Sequence, residues 1–197
     1  MRDNLYEYYA TSPRVQGDVG EVVIASELRN KCNMDILRNV YVPYKGHYTE
    51  IDMVALSNKG VFIIESKNYS GEVIGSVKDK YWSVRYGYSR YEKLYNPILQ
   101  NLLHKEAVLN FISERGIDSK NIFRPVIFGD KARLRLSGCE KLVFTLSSFI
   151  DTYNGLDLHS TNGTVISNNS IIQNVATTED SQFLRGNHEK EDSFFLV

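Results

Sequence analysis

At 197 residues, 42% of them hydrophobic and 24% charged, the chain is long enough for one substantial folded domain and too apolar to be a disordered tail. The formal net charge of −1 gives no global attraction to nucleic acid, so a local basic surface would have to supply it. Cys32 and Cys139 lie far apart and the four histidines are scattered, which argues against a zinc centre. No run reaches membrane-spanning length and the N-terminus lacks the apolar core of a signal peptide, so no membrane contact is expected and the reducing cytoplasm is the expected location.

Residues 1–13 form a polar, aromatic lead-in. Around Gly17–Glu21 a helix is predicted to begin, running to about Asn30. Glu21, Ile24, Ala25 and Leu28 fall at i, i+3, i+4 and i+7, which sets Glu21 on the apolar stripe. A carboxylate there needs a partner or a chemical task; the plainer explanation is a first-turn glutamate favoured by the helix dipole. Ile36–Val42 reads as a strand and residues 43–48 as a loop. Two apolar runs follow, Asp52–Leu56 and Val61–Lys67, separated by the turn residues Ser57-Asn58-Lys59-Gly60, and together they predict a β-hairpin. Strand alternation puts Glu50, Asp52, Val54 and Leu56 on one face, and Val61, Ile63, Glu65 and Lys67 on one face of the second strand. An even turn sets Leu56 opposite Val61, Asp52 opposite Glu65 and Glu50 opposite Lys67; a bulge at Gly60 would shift the pairing by one. Cross-strand Glu–Lys pairs often decorate solvated sheets and contribute only ~0.2–1 kcal/mol. Here, however, the charges interrupt a strongly apolar run at Ile63-Ile64-Glu65.

Val73–Ser76 and Tyr81–Val84 are two further short strands. Between Lys78 and Tyr95, five cations including Arg85 and Arg90 are interleaved with six aromatic residues, and Asp79 and Glu92 leave a local surplus of three positive charges. Cations neutralise phosphates and aromatic rings stack on unpaired bases; a twisted hairpin about Tyr86-Gly87 whose rings pack on the sheet explains the same pattern. Asn96-Pro97 opens a helix with an N-cap and a first-position proline, continuing to Glu114 before Gly116 stops it. Its inward face is read as Gln100, Leu103, Ala107 and Phe111, with His104 at most a hydrogen-bonding support. Arg124–Phe128 and Leu142–Thr145 are late strands. Lys131, Arg133 and Arg135 lie in a basic connector between them, a second candidate patch or a solvated loop. Ser147–Tyr153 is a short helix. After Gly155 the chain turns polar, and residues 179–197 are charged. The expected division is a domain at 14–150 and a polar extension at 151–197 that offers a surface for a homodimer or a protein partner. The element order predicts an α/β fold around a central mixed sheet flanked by helices.

Carboxylates separated in sequence but converging in space suit Mg²⁺ or Mn²⁺, which prefer oxygen ligands. Such an ion polarises a phosphate and lowers the pKa of water, while a lysine orients the attacking water or neutralises developing charge. Asp52, Glu65 and Lys67 are of the right types, with Glu21 able to join them from its helix and Glu50 as an outer ligand or ion-pair partner of Lys67.

Gly20-Glu21 opening a helix, Glu50-Ile51-Asp52, Gly60-Val61-Phe62-Ile63-Ile64-Glu65-Ser66-Lys67-Asn68-Tyr69, Gly71, Trp82, and Asn96-Pro97 with Gln100 and His104 resemble the nuclease-related domain, NERD, of the PD-(D/E)xK nuclease superfamily. The likeness covers roughly residues 14–150. It implies a restriction-endonuclease-like core, Asp52, Glu65 and Glu21 as ligands of Mg²⁺ or Mn²⁺, Lys67 as the catalytic lysine, and Gln100 as a polar group reaching the site. The proline that names the superfamily is absent, since Ile51 precedes Asp52. The implied activity is metal-dependent DNA endonuclease cleavage in DNA processing or defence, with RNA as another substrate. Arg85, Arg90, Lys131, Arg133 and Arg135 are the candidate nucleic-acid contacts. The competing assignment is a non-catalytic module that binds nucleic acid or protein on the same fold.

Overall fold

A computed structural model describes residues 13–116 and 121–156, with side chains from residue 17 onward. The readings made for residues 1–12 and 157–197, including the polar extension, lie outside the described residues.

The chain begins with helix α1 (Pro13–Cys32). It starts earlier than the sequence pattern predicts, so Glu21 sits beyond the first turn and the dipole explanation lapses. Strands β1 (Asp35–Tyr44) and β2 (His47–Ser57) then pair antiparallel from Asp35–Leu56 to Tyr44–His47. The loop expected at 43–48 is instead a two-residue turn in which Lys45 and Gly46 both take positive φ, 50° and 84°. Such turns match the twist of the strands they join, and glycine enters that region without steric cost. Across Asn58-Lys59, β3 (Gly60–Lys67) pairs with β2, Leu56 opposite Val61 and Met53 opposite Ile64, the even register. The β2 ladder stops at Ile64, while on its opposite edge β3 pairs in parallel with β8 (Val126–Phe128) at Glu65, Ser66 and Lys67. With β7 (Ile122–Phe123) beside β3 and β10 (Val143–Thr145) beside β8, this makes a mixed sheet in the order β1-β2-β3-β8-β10.

A second sheet is built from β4 (Glu72–Ser76), β5 (Tyr81–Tyr86), β6 (Arg90–Tyr95) and β9 (Arg133–Ser137), in the order β6-β5-β4-β9. The basic connector of the sequence reading is therefore a strand. Its alternation explains why: Leu134 and Leu136 pack inward while Arg133 and Arg135 point out, and β4 supplies a parallel ladder.

Helices α1 and α3 (Leu146–Asn154) cover one face of the mixed sheet, where Ile24, Leu28, Phe149 and Tyr153 pack on Met53, Phe62 and Ile64. Tyr153, at the end of the short helix, is buried. Helix α2 (Pro97–Ser113) covers the other face, packing Ala107, Val108 and Phe111 on Val54, Val61 and Ile63. Asn96 caps it, accepting from the amide of Ile98 at 2.9 Å. The buried face of α2 runs through Ile98, Asn101, His104 and Val108, and Leu103 is 48% exposed. The inward face predicted through Gln100 and Leu103 is thus rotated, because the polar Asn101 and His104 were not counted as core.

Candidate active site

The end of the β2–β3 ladder creates the site. Past its last pair with β2, the amide of Ser66 donates to Asp52 Oδ2 at 2.7 Å, and the Ser66 hydroxyl donates to the same oxygen at 3.1 Å. Asp52 is thereby held against the end of β3. Glu65, one residue earlier, is fully buried on the face shared with Ile63. One of its oxygens accepts from Lys67 Nζ. The other, Oε2, lies 3.3 Å from His104 Nδ1, too poorly aligned for a hydrogen bond, and neither atom has one elsewhere.

Burial raises the pKa of Glu65 to about 8, against the pull of Lys67 and with added repulsion from Asp52 and Glu21. Burial works to lower Lys67, but the charges of Glu65 and Asp52 outweigh it and hold the amine above its ordinary range. Burial also lowers His104 to about 4, so its imidazole is neutral near pH 7. Asn101, one turn before His104, donates to the carbonyls of Ile63 and Pro125 at 3.0 and 2.9 Å, fastening α2 to both chains that enter the site.

Glu21 arrives from the opposite face. Its Oε2 accepts from Arg38 Nη2 at 3.2 Å. Burial and the charge of Asp52 raise its pKa, while Arg38 lowers it. Helix α1 comes this close because residue 20 is glycine: a Cβ there would sit 2.5 Å from Cβ of Asn68, the residue after Lys67.

The structure thus gathers Asp52, Glu65 and Lys67, with Glu21 close enough to repel two of the carboxylates. Gln100 is half-buried at the edge of the α2 face, and Glu50 is exposed on β2. The sequence reading left Ser66, Arg38 and Asn101 without roles and kept His104 outside the catalytic set. A legible signal was the pair Asn101 and His104 at i and i+3 on the stripe that continues through Val108; Ser66 gave none, since its role arises only where the β2–β3 ladder ends.

The basic residues divide by strand parity. Arg85 pairs with Tyr91 and Tyr86 with Arg90, so Arg85 and Arg90 fall on opposite faces of the second sheet. Arg90 stacks over the Tyr86 ring at 5.0 Å. Arg133 and Arg135 share the outer face with Arg85, because Glu72 pairs with both Arg85 and Arg133 and Ile74 pairs with Arg135. Glu72 binds Arg85 directly, and its other oxygen is 3.9 Å from Arg135. Lys131 is exposed in the turn before β9.

The oxygen donors of Glu21, Asp52 and Glu65 suit a hard divalent cation, and Glu65 Oε2 is a buried oxygen without a hydrogen bond. Among the described residues, however, no three of His, Cys, Asp and Glu are arranged to hold a metal ion as they stand. Arg38, Ser66 and Lys67 occupy one oxygen each of the three carboxylates. No helix among the described residues is long and apolar enough to cross a membrane.

Compared with known families, residues 16–129 match the nuclease-related domain, NERD, over more than half of the chain. The chain belongs to this family. NERD is part of the PD-(D/E)xK-like nuclease superfamily, and the mixed sheet with helices on both faces is the α/β nuclease-like core expected of a member. The chain is also similar to an uncharacterized protein of Bacillus anthracis, 34% identical over 101 residues, which cover 49% of this chain and 46% of that protein. The chain therefore spans about half the length of that curated relative. No solved structure matches it. The NERD match encloses Glu21, Asp52, Glu65, Lys67 and His104, whereas Arg133 and Arg135 lie past its end.

Proposed function

We propose that this NERD domain is a metal-dependent nuclease that hydrolyses phosphodiester bonds in DNA, cutting internally, in DNA processing or defence. The observation that carries this reading is a fully buried Glu65 set between Lys67 and a neutral His104, with Asp52 tied alongside through Ser66. A buried carboxylate on an apolar strand costs stability, and such arrangements are retained where chemistry needs them. Asp52 and Glu65, with Glu21 beside them, would hold Mg²⁺ or Mn²⁺, which when bound supplies charge stabilisation at the phosphate and a more acidic water.

The chain's own groups do the rest. Lys67, kept cationic by its carboxylate neighbours, meets the negative charge that builds on the phosphate and orients the attacking water. Ser66 fixes the orientation of Asp52, and Gln100 stands at the rim of α2 as a further polar contact. Asn101 fastens α2 to β3, and the neutral His104 packs beside Glu65. Arg85, Arg90, Lys131, Arg133 and Arg135 are the cations offered to the nucleic-acid backbone. We assign the protein to the cytoplasm, where the buried free thiols of Cys32 and Cys139 stay reduced.

A non-catalytic binding module on the same fold is the second reading, favoured by the cations already bound to Glu21 and Glu65. Cleavage of supercoiled, linear and single-stranded DNA with Mg²⁺ or Mn²⁺ separates the two. Metal-dependent cutting that disappears in Lys67→Ala supports the nuclease; firm DNA binding without cutting by the natural chain sinks it.

A further inference from the structure

We infer that the outer face of the second sheet is a docking surface for single-stranded nucleic acid. The inference names the substrate class for the nuclease reading and rests on that reading for its purpose, but it is measured without catalysis. Alternation sends Trp82, Val84 and Leu94 into the core, which leaves Tyr81, Tyr91 and Tyr95 on the outer face, 44%, 59% and 38% exposed. Three exposed phenol rings on one sheet face are a poor use of apolar surface unless something covers them.

Charge says what covers them. The same face carries Arg85, Lys93, Arg133 and Arg135 against a single carboxylate, Glu72. Two of these cations come from β9, about forty residues further along the chain than the others, so the pairing of β4 with β9 joins two separate basic segments into one field. Rings and cations are also interleaved: Lys93 Nζ lies 3.8 Å above the Tyr81 ring, and Tyr81 meets Tyr95 edge-to-face at 5.7 Å. Phosphates need the cations, and unpaired bases present π-faces to the rings. A duplex buries those π-faces in its own stack and offers the rings only its backbone. An acidic peptide would use the cations and leave the phenols idle. Nothing on this face reads the sugar, so DNA and RNA single strands share the chemistry that is recognised.

The test measures binding by the full chain in EDTA to labelled oligo-dT, oligo-rU and a duplex of equal length. Tighter binding of either single strand than of the duplex is expected. Tyr81→Leu with Tyr91→Leu should weaken single-strand binding by roughly tenfold per ring, with duplex binding little changed as the control for folding. Arg133→Ala with Arg135→Ala should flatten the slope of log affinity against log salt by about 1.4 for a single strand. The inference is overturned if the duplex binds more tightly, if the tyrosine variants bind oligo-dT and oligo-rU as the natural chain does, or if poly-glutamate competes as well as the oligomers. Absence of cutting with intact single-strand binding would remove the nuclease and leave this surface standing.

Discussion

In the mixed sheet Glu65 is wholly enclosed and each charge near it has a named neighbour, Lys67, Asp52 or Arg38–Glu21. In the second sheet Arg133 and Arg135 stand in solvent, and one glutamate, Glu72, lies beside both Arg85 and Arg135. The same residue types thus carry different consequences. Enclosed charges are costly, shift one another's proton affinity and lose much when a partner is removed. Exposed charges are screened, cost little and act at a distance on an anionic ligand.

Substitutions in the two sheets should separate these behaviours. The largest effect is expected for Lys67→Ala, which should lower metal-dependent cleavage by about 10²–10³-fold, in the range seen when one charge-stabilising donor is lost. Circular dichroism of the same preparation would show whether the fold survives. Next comes Asn101→Ala, which removes the side-chain donor shared by the carbonyls of Ile63 and Pro125 and leaves Pro125 only the amide of Glu65. Loss of about 1–3 kcal/mol is expected in urea unfolding.

Glu65→Gln tests enclosure through pH. The folded pKa of Glu65 is raised, to about 8 from an ordinary 4.5, so its stabilising contribution is complete below about 4.5 and fades as pH rises to 8. Relative to the natural chain, the Gln variant should therefore gain stability in EDTA between pH 5 and 8. A flat difference in urea midpoint across that window would mean that Glu65 is not enclosed as described. His104 has the opposite sign, losing its contribution as pH falls from 6.5 towards 4, and it is present in both proteins. The smallest effect is expected for Arg133→Ala with Arg135→Ala, within about 0.5 kcal/mol of natural stability. A larger loss would show that the second sheet also depends on its ion pairs.

Much of this contrast was legible beforehand in particular residues. Of the two registers the sequence left open, the even one pairs Leu56 with Val61 as the structure does, but the ladder stops at Met53–Ile64, short of the expected Asp52–Glu65 and Glu50–Lys67 pairs. The stripe of Ile24, Ala25 and Leu28 gave the buried face of α1 and placed Glu21 beside it. The cap Asn96-Pro97 gave the start of α2. What escaped depended on partners distant in the chain. The strand at Arg133–Ser137 needs β4 to complete it, and its Arg-Leu-Arg-Leu alternation was hidden by its charge. The role of Ser66 arises where the β2–β3 ladder stops, and that of Asn101 from carbonyls of two distant segments, neither of which hairpin logic contains. His104 stayed outside the catalytic set because a lone histidine on a helix is more often a hydrogen-bonding support than a ligand.

The two edges of β3 also close over very different lengths of chain. Residues 60–64 find their partner β2 across a two-residue turn, so this part of the sheet closes early and locally. Glu65–Lys67 find theirs in β8, some sixty residues later, after α2 has been made. A chain emerging from the ribosome therefore carries its hairpin long before the carboxylate end of β3 has a neighbour. Glu65 is thus enclosed only once the chain through β8 has been made, whereas the apolar part of β3 is paired locally.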